Sequence, residues 1–515
     1  MKRRDFLRLS ATGAGLAALA PVAVGCAPEP EATTVFSCGI ASGLHSPNAV
    51  VLWTRLDPRL TDSTTVDWQL ATGPDLGDVV ASGTAPAPAD HDHCVKILVE
   101  RLEPGRDYWY QFTVGDVTSV VGRTRTLPGD ATSPDSLKLA FASCQMYSAG
   151  FYGAWREIAG RTLDAVLFLG DYIYELGLGP LGARWESFVP AKTLDEYRAK
   201  YRLYKSDPDL QAAHAAHPWL VIWDDHEVFN DHDASRLAAD PVRADAAHQT
   251  WFDYQPVMPI DGTRIYRSLR WGDLGEIILT DSRQYRGPHL DSGLLGTFLD
   301  AAYAAPDRSI LGTPQREWLL DTFDRSQADG IRWKLLANQV LMAPLRYIDL
   351  DEPDIRAANP TFPKHAGFYS TLDSWDGFPA ERDLVLGHLA GAGITDVAIL
   401  TGDFHAFFQA ALRADFDDAN SPLVANEFLT SSISSQPLSL TEDLAAAANN
   451  GMLPTHPAFD FVDLVHNGYG LVECTPAAMT VTFMTNTARD DTEPVPAVRW
   501  TITSGNPTAV RTPLS

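Results

Sequence analysis

A chain of 515 residues suffices for two or more domains and a large core, and 45% hydrophobic with 21% charged residues is a globular rather than a disordered composition. The formal net charge of −26 argues against nucleic acid or an anionic membrane as a general partner, because both require a basic footprint.

At the N-terminus, Met1-Lys2-Arg3-Arg4-Asp5-Phe6-Leu7-Arg8 sets paired arginines before an apolar stretch, Leu16 to Val24, that is too short for a permanent membrane span. Gly13, Gly15, Pro21 and Gly25 would interrupt a cytoplasmic helix here, so residues 1–26 read as a twin-arginine export signal. The twin-arginine translocation machinery is then a partner during export, and the mature protein is periplasmic, at the cell surface or secreted. Ala23-Val24-Gly25-Cys26 resembles a lipoprotein cleavage box, with Ala where Leu is usual. A lipid on Cys26 is the one membrane attachment expected, and simple cleavage nearby is the alternative. Loss of four basic residues and one acidic residue with this segment takes the formal charge from −26 to −29.

Residues 33–127 alternate short β-prone runs with turn residues, as in Ala49-Val50-Val51-Leu52-Trp53-Thr54 and Cys94-Val95-Lys96-Ile97-Leu98-Val99. A Pro104-Gly105 turn then leads into strict alternation through Asp107-Tyr108-Trp109-Tyr110-Gln111-Phe112, like the tyrosine corner of a fibronectin-type or Ig-like sandwich. A small all-β domain follows from this pattern. Five cysteines are too few for a disulfide scaffold, and Cys38 with Cys94, both in this domain, is the pair a single bridge would join.

The turn-rich stretch from Leu127 to Ser136 marks a boundary, and from residue 137 to 515 strands alternate with helices. Helices are expected at 150–159, 193–204 and 314–327, the last with Thr313 as N-cap and Pro314 at the first helical position. Strands are expected at 275–280, 333–337, 395–400 and 478–484.

Four apolar runs in this second part end in potential ligands: Leu139-Ala140-Phe141-Ala142-Ser143-Cys144-Gln145, Leu167-Phe168-Leu169-Gly170-Asp171-Tyr172-Ile173-Tyr174-Glu175, Leu220-Val221-Ile222-Trp223-Asp224-Asp225-His226-Glu227 and Val397-Ala398-Ile399-Leu400-Thr401-Gly402-Asp403-Phe404-His405. One Gly-Asp after an apolar run is most often a turn with a capping Asp. Four such ends can meet at the carboxyl edge of a sheet, where open α/β sheets bind ligands.

Asp171, at the end of the central run, is the candidate bridge between two metal ions, since a carboxylate can give one oxygen to each. Asp225, Asn230 and Asp403 are hard oxygen donors suited to Ca2+, Mg2+ or Mn2+, whereas Cys144, Tyr174 and His405 together suit a Lewis-acidic iron, with Zn2+ as another substitute. Taken singly, these last three have ordinary core roles as well. His226 is placed to protonate a leaving group or bind phosphate. Arg283 and Arg286 are candidates for holding non-bridging phosphoryl oxygens, although a salt bridge is the commoner fate of an arginine.

Ser-Cys-Gln, Gly-Asp-Tyr-Ile-Tyr-Glu, Trp-Asp-Asp-His-Glu and Gly-Asp-Phe-His, in that order, resemble the PhoD-like alkaline phosphatase family, a branch of the calcineurin-like metallophosphoesterases. Phe36-Ser37-Cys38-Gly39-Ile40-Ala41-Ser42-Gly43 and Val51-Leu52-Trp53-Thr54-Arg55 also resemble that family's N-terminal domain. The resemblance implies a two-sheet α/β/β/α metallophosphatase sandwich behind the small β domain. It implies one Fe3+ at Cys144, Asp171, Tyr174 and His405 with one or two Ca2+ beside it, and hydrolysis of a small phosphate ester. Ser143-Cys144-Gln145 stands where the wider superfamily has Asp-x-His, and Asp225 where it has a metal-binding Asn, so Asp225 and Asn230 are alternative ligands. Phosphate monoesters are the expected substrates. Diesters, including phospholipid head groups in a phospholipase D-type reaction, are the alternative. Two other readings are a metal-free hydrolase with Cys144 as nucleophile activated by His405, and a non-catalytic, metal-stabilised binding protein.

Overall fold

The computed structural model describes residues 34–288, 296–298, 301–351, 353–418, 420–438 and 458–514. The expected export signal and Cys26 lie outside the described residues. No helix among those described is long and apolar enough to cross a membrane.

The short, wholly apolar runs form parallel strands buried on both faces. In a ten-stranded sheet, Ala165–Phe168 lies between Leu137–Ala142 and Pro218–Val221 and runs parallel to both. In a seven-stranded sheet, Gly275–Leu279, Trp333–Asn338, Val397–Thr401 and Leu423–Leu429 are successive parallel neighbours.

The two-residue period of a strand sorts the side chains of this second sheet. Leu335, Ala337, Ala398 and Leu400 join the core shared with the ten-stranded sheet. Leu336 and Ile399 pack instead with Leu319 and Phe323 of the helix Thr313–Ala328 and with Val385, Leu386 and Leu389 of the helix Pro379–Gly391. Trp155, Ile158, Tyr197 and Tyr201, from the helices Gly153–Ala159 and Leu194–Lys205, pack into the core of the ten-stranded sheet. The result is the α/β/β/α sandwich that the motifs imply.

Two of the expected helices begin near their predicted starts, and Leu194–Lys205 opens with a capping box between Thr193 and Glu196. The third differs in its cap. Gly312, at φ 72°, is the N-cap of Thr313–Ala328, so Thr313 is already helical. A left-handed turn at a glycine, whose N–H is held by Ser309 Oγ at 2.8 Å, starts this helix instead of a side-chain cap.

Residues 40–125 divide between two sheets. Val79–Pro86, Thr65–Ala71, Asp107–Val114, Val117–Thr118 and Gly122–Arg125 form an antiparallel sheet of their own, and Tyr108 Oη accepts the Glu103 N–H at 2.9 Å as a tyrosine corner does. Ile40–Ser46, Ala49–Arg55 and Cys94–Val99 extend the ten-stranded sheet, Ile40–Ser46 pairing in parallel with Pro218–Val221. Ala49–Arg55 thus runs between the segments that carry Cys38 and Cys94, and both cysteines are free buried thiols.

Candidate metal centre and active site

Apolar strands end together, and the backbone there turns sharply to aim polar side chains into the gap between the sheets. Cys144, Asp171, Asp403 and His405 all have positive φ, at 59°, 59°, 71° and 53°. Each such residue costs on the order of 1 kcal/mol, and clusters of them mark places where geometry is imposed by function. The two Gly-Asp pairs have a packing cause as well. A Cβ on Gly170 would meet Asp224 Cβ at 2.4 Å, and one on Gly402 would meet Ser143 Cβ at 2.6 Å.

Cys144, Asp171 and His405 bring one donor atom each to within 4.8 Å of one another. Tyr174 Oη joins them, 2.8 Å from Asp171 Oδ2 and 3.0 Å from His405 Nε2. His405 Nδ1 lies 3.0 Å from the carbonyl of Gln436, which fixes the proton on Nδ1 and leaves the Nε2 lone pair facing the cluster, the tautomer a metal ligand needs. Ser435 Oγ donates to Tyr174 Oη at 2.9 Å. Burial, then the Asp171 charge, pushes both the Cys144 thiol and the Tyr174 hydroxyl well above their ordinary values. Burial, then the nearby His226, lowers His405 to about 4. Thiol, phenol and neutral imidazole around the Asp171 carboxyl are a donor set that becomes fully anionic only opposite a strong cation. They fit a Lewis-acidic ion such as iron.

A second cluster adjoins the first through Asp171. Donor atoms of Asp171, Asp225 and His226 lie within 4.8 Å, as do those of Asp224, Asp225 and Asp403, and those of Asp225, Asp231 and Asp373. Asp224 Oδ2 and Asp225 Oδ1 are buried without a hydrogen-bond partner, as expected of oxygens that await a cation. Burial would raise Asp225, but Arg283 and His226 outweigh it and bring the carboxyl to about 2. Asp403 is raised well above the carboxylate range by burial, then by Asp224. These oxygens fit a hard divalent ion.

His226 stands at the rim. Its Nδ1 lies 2.7 Å from Glu175 Oε2 and its ring is 4.2 Å from that of Tyr174. Burial disfavours the charged ring, yet Asp225, Asp171 and Glu175 together hold the imidazole well above its usual value, so it keeps its proton.

Other sequence-derived candidates are placed differently. Arg283 is fully buried: Nε binds Asp224, Nη1 binds Asp373 Oδ2 at 2.6 Å and Nη2 binds Asp403 Oδ1 at 3.1 Å. Arg286 binds the Asp373 carbonyl at 2.8 Å and also its carboxylate. Both guanidiniums face protein carboxylates. Asn230 is exposed, and its backbone N–H donates to Glu175 Oε1 at 3.2 Å. Cys144 is completely buried with its thiol pushed up, the opposite of what a nucleophile requires.

Sequence reading missed Asp373, Asp231, Glu175 and Ser435, which lie in loops and belong to no ligand pattern at a strand end. Glu175 alone carried a signal, as the last residue of the central motif. It also missed Gln339, whose Nε2 donates to the carbonyls of Trp223 at 3.1 Å and Thr280 at 2.7 Å, tying the ends of the two sheets together. A cavity of about 400 Å3 lined by Trp109, Arg123, Arg161 and His217 lies at the opposite end of these strands and holds none of the clustered donors.

A two-sheet sandwich with such strand ends is the frame of a phosphoric ester hydrolase, and comparison with known proteins puts the chain in that class. The family profile described as PhoD-like phosphatase matches residues 139–483, and the one described as PhoD-like phosphatase, N-terminal domain, matches residues 22–128. The chain belongs to the PhoD-like phosphatase family. It is 33% identical over 423 residues to alkaline phosphatase D of Bacillus subtilis (strain 168), across 78% of this chain and 69% of that protein. The solved structure described as "Structure of PhoD" superposes with a TM-score of 0.82 at 29% identity, covering 94% of this chain and 93% of that one.

Proposed function

We propose that the protein is an exported, metal-dependent phosphoesterase acting on small phosphate monoesters. The observation that carries this reading is the pair of clusters sharing Asp171, one with sulfur, phenol and imidazole donors and one of carboxylates. Fe3+ suits Cys144, Asp171, Tyr174 and His405, and Ca2+ suits the oxygens of Asp225 and Asp403, with Mg2+, Mn2+ or Zn2+ as substitutes. When bound, such ions supply positive charge for the phosphoryl oxygens and lower the pKa of water.

The chain's own residues do the rest. His226 keeps its proton and donates from Nε2 to the departing alkoxide, while Glu175 on Nδ1 fixes the ring. Arg283 balances Asp224, Asp373 and Asp403, so the carboxylates stay gathered before substrate arrives. Export through the twin-arginine machinery, followed either by a lipid on Cys26 or by simple cleavage nearby, belongs to the same reading.

Turnover of an aryl phosphate and of the matching bis-aryl phosphate, with iron and calcium supplied, tests the substrate class. The monoester is expected to be preferred. Preference for the diester overturns that assignment in favour of a phosphodiesterase.

A further inference from the structure

The Glu227 carboxyl is buried to 1% exposure, yet among the described residues it touches no guanidinium or ammonium group. Its partners are three backbone amides. Oε2 accepts the N–H of Asp171 at 3.0 Å and of Asp224 at 2.9 Å, and Oε1 accepts the N–H of Tyr172 at 2.7 Å. These amides belong to two different turns, one following Ala165–Phe168 and the other following Pro218–Val221. The strands are parallel neighbours, but the ladder stops at the pair Phe168 and Val221, and beyond it the three amides rely on this side chain.

The turn after Phe168 is also the more demanding one. Gly170 and Asp171 have φ of 114° and 59°, and Gly170 is pressed against Asp224 with no room for a Cβ. One side chain therefore fixes the spacing of two turns whose own side chains, Asp171 and Asp225, must converge within 4.8 Å. We propose that Glu227 is a positioning residue of the centre: a carboxylate clamp that sets Asp171 against Asp225 before any ion binds. It acts through the backbone and touches neither substrate nor ligand oxygens. Both oxygens accept in the clamp, whereas an amide of the same shape must turn an NH2 towards at least one of the three N–H groups.

The inference rests on the metal-dependent reading above, and its test separates the two. In full-length Glu227→Gln, circular dichroism is expected to stay native. Iron and calcium per chain should fall severalfold, kcat about 10- to 100-fold and KM less than about twofold, with partial recovery in excess metal. Amide exchange in peptides spanning 169–176 and 222–228 should speed up. A folded Glu227→Gln protein with wild-type metal content, kcat and exchange overturns the clamp and leaves the metal reading standing. Wild-type protein that turns over phosphate esters after exhaustive chelation overturns the metal reading instead. If Glu227→Gln does not fold, the wild type decides. After chelation, slow exchange at Asp171, Tyr172 and Asp224 supports a clamp that precedes the ions, and fast exchange at these amides overturns it.

Discussion

Of the two clusters that meet at Asp171, one draws on four kinds of donor and the other almost wholly on carboxylates, and the protein steadies them by different means. The mixed cluster is arranged by neutral hydrogen bonds: Ser435 to Tyr174, and His405 to the Gln436 carbonyl. It contains no cation, and burial raises both the Cys144 thiol and the Tyr174 hydroxyl. The carboxylate cluster has its own counter-ions, Arg283 and Arg286, which hold Asp373 below the usual carboxylate range against the effect of burial. In the first cluster the anionic ligands exist only with the metal, so loading it releases protons. In the second the Asp225 and Asp373 charges are already there, balanced within the protein, and an ion has to share the Asp224 and Asp403 carboxylates with arginine.

The most drastic way to break this comparison is Asp171→Asn, which strikes both clusters at once. Loss of both metals and of several kcal/mol of transition-state stabilisation is expected, about a thousandfold or more in kcat. Elemental analysis and steady-state kinetics check it, and retention of either metal at full stoichiometry would show that Asp171 serves one cluster alone.

Next in size is His226→Ala, which should leave both metals in place and lower kcat by about 100- to 1,000-fold. The loss should be greatest for alkyl phosphates and smallest for p-nitrophenyl phosphate, whose leaving group needs no proton. A uniform loss across leaving groups would remove the proton-donor role.

Tyr174→Phe touches only the mixed cluster and keeps the ring that packs against His226. If the phenolate binds ferric iron, the visible colour of the protein should fade, iron should fall, calcium should stay, and kcat should drop about 10- to 100-fold. An unchanged spectrum and iron content would reduce Tyr174 to packing and favour zinc or manganese.

The smallest effect lies outside both clusters. His217, held at Nε2 by the Ile158 carbonyl at 2.9 Å, is lowered by burial to about 4. Its unfolded value is near 6.5, so between pH 6.5 and 4 the unfolded chain takes up a proton that the folded chain refuses. Stability attributable to this group is complete above pH 6.5 and falls by about 3 kcal/mol as the pH drops to 4. Urea midpoints at pH 7 and 4.5 should therefore diverge more in the wild type than in His217→Gln, with no difference in metal content. Equal divergence would mean that His217 is not the group being titrated.

The sequence by itself determined the strands and their endings. An apolar run of four to six residues bounded by turn residues reads as a strand buried on both faces, and Gly-Asp at its end reads as a turn that presents a carboxylate. That is why Cys144, Asp171, Tyr174, Asp225, Asp403, His405 and His226 were all legible as candidates. Only the tertiary structure decided who meets whom. Arg283 looked free to grip phosphate because sequence cannot show that Asp224, Asp373 and Asp403, scattered over 180 positions, surround it. Asp373, Asp231, Ser435 and Gln339 were silent because single polar residues in loops follow no period, and their value comes from which strand ends they reach. Likewise Ile40–Ser46 reads as one strand among several in a small β domain, yet its partner is Pro218–Val221, some 175 residues away. Periodicity reports which face of an element is buried, not which neighbour covers it, and a metal centre is made of neighbours.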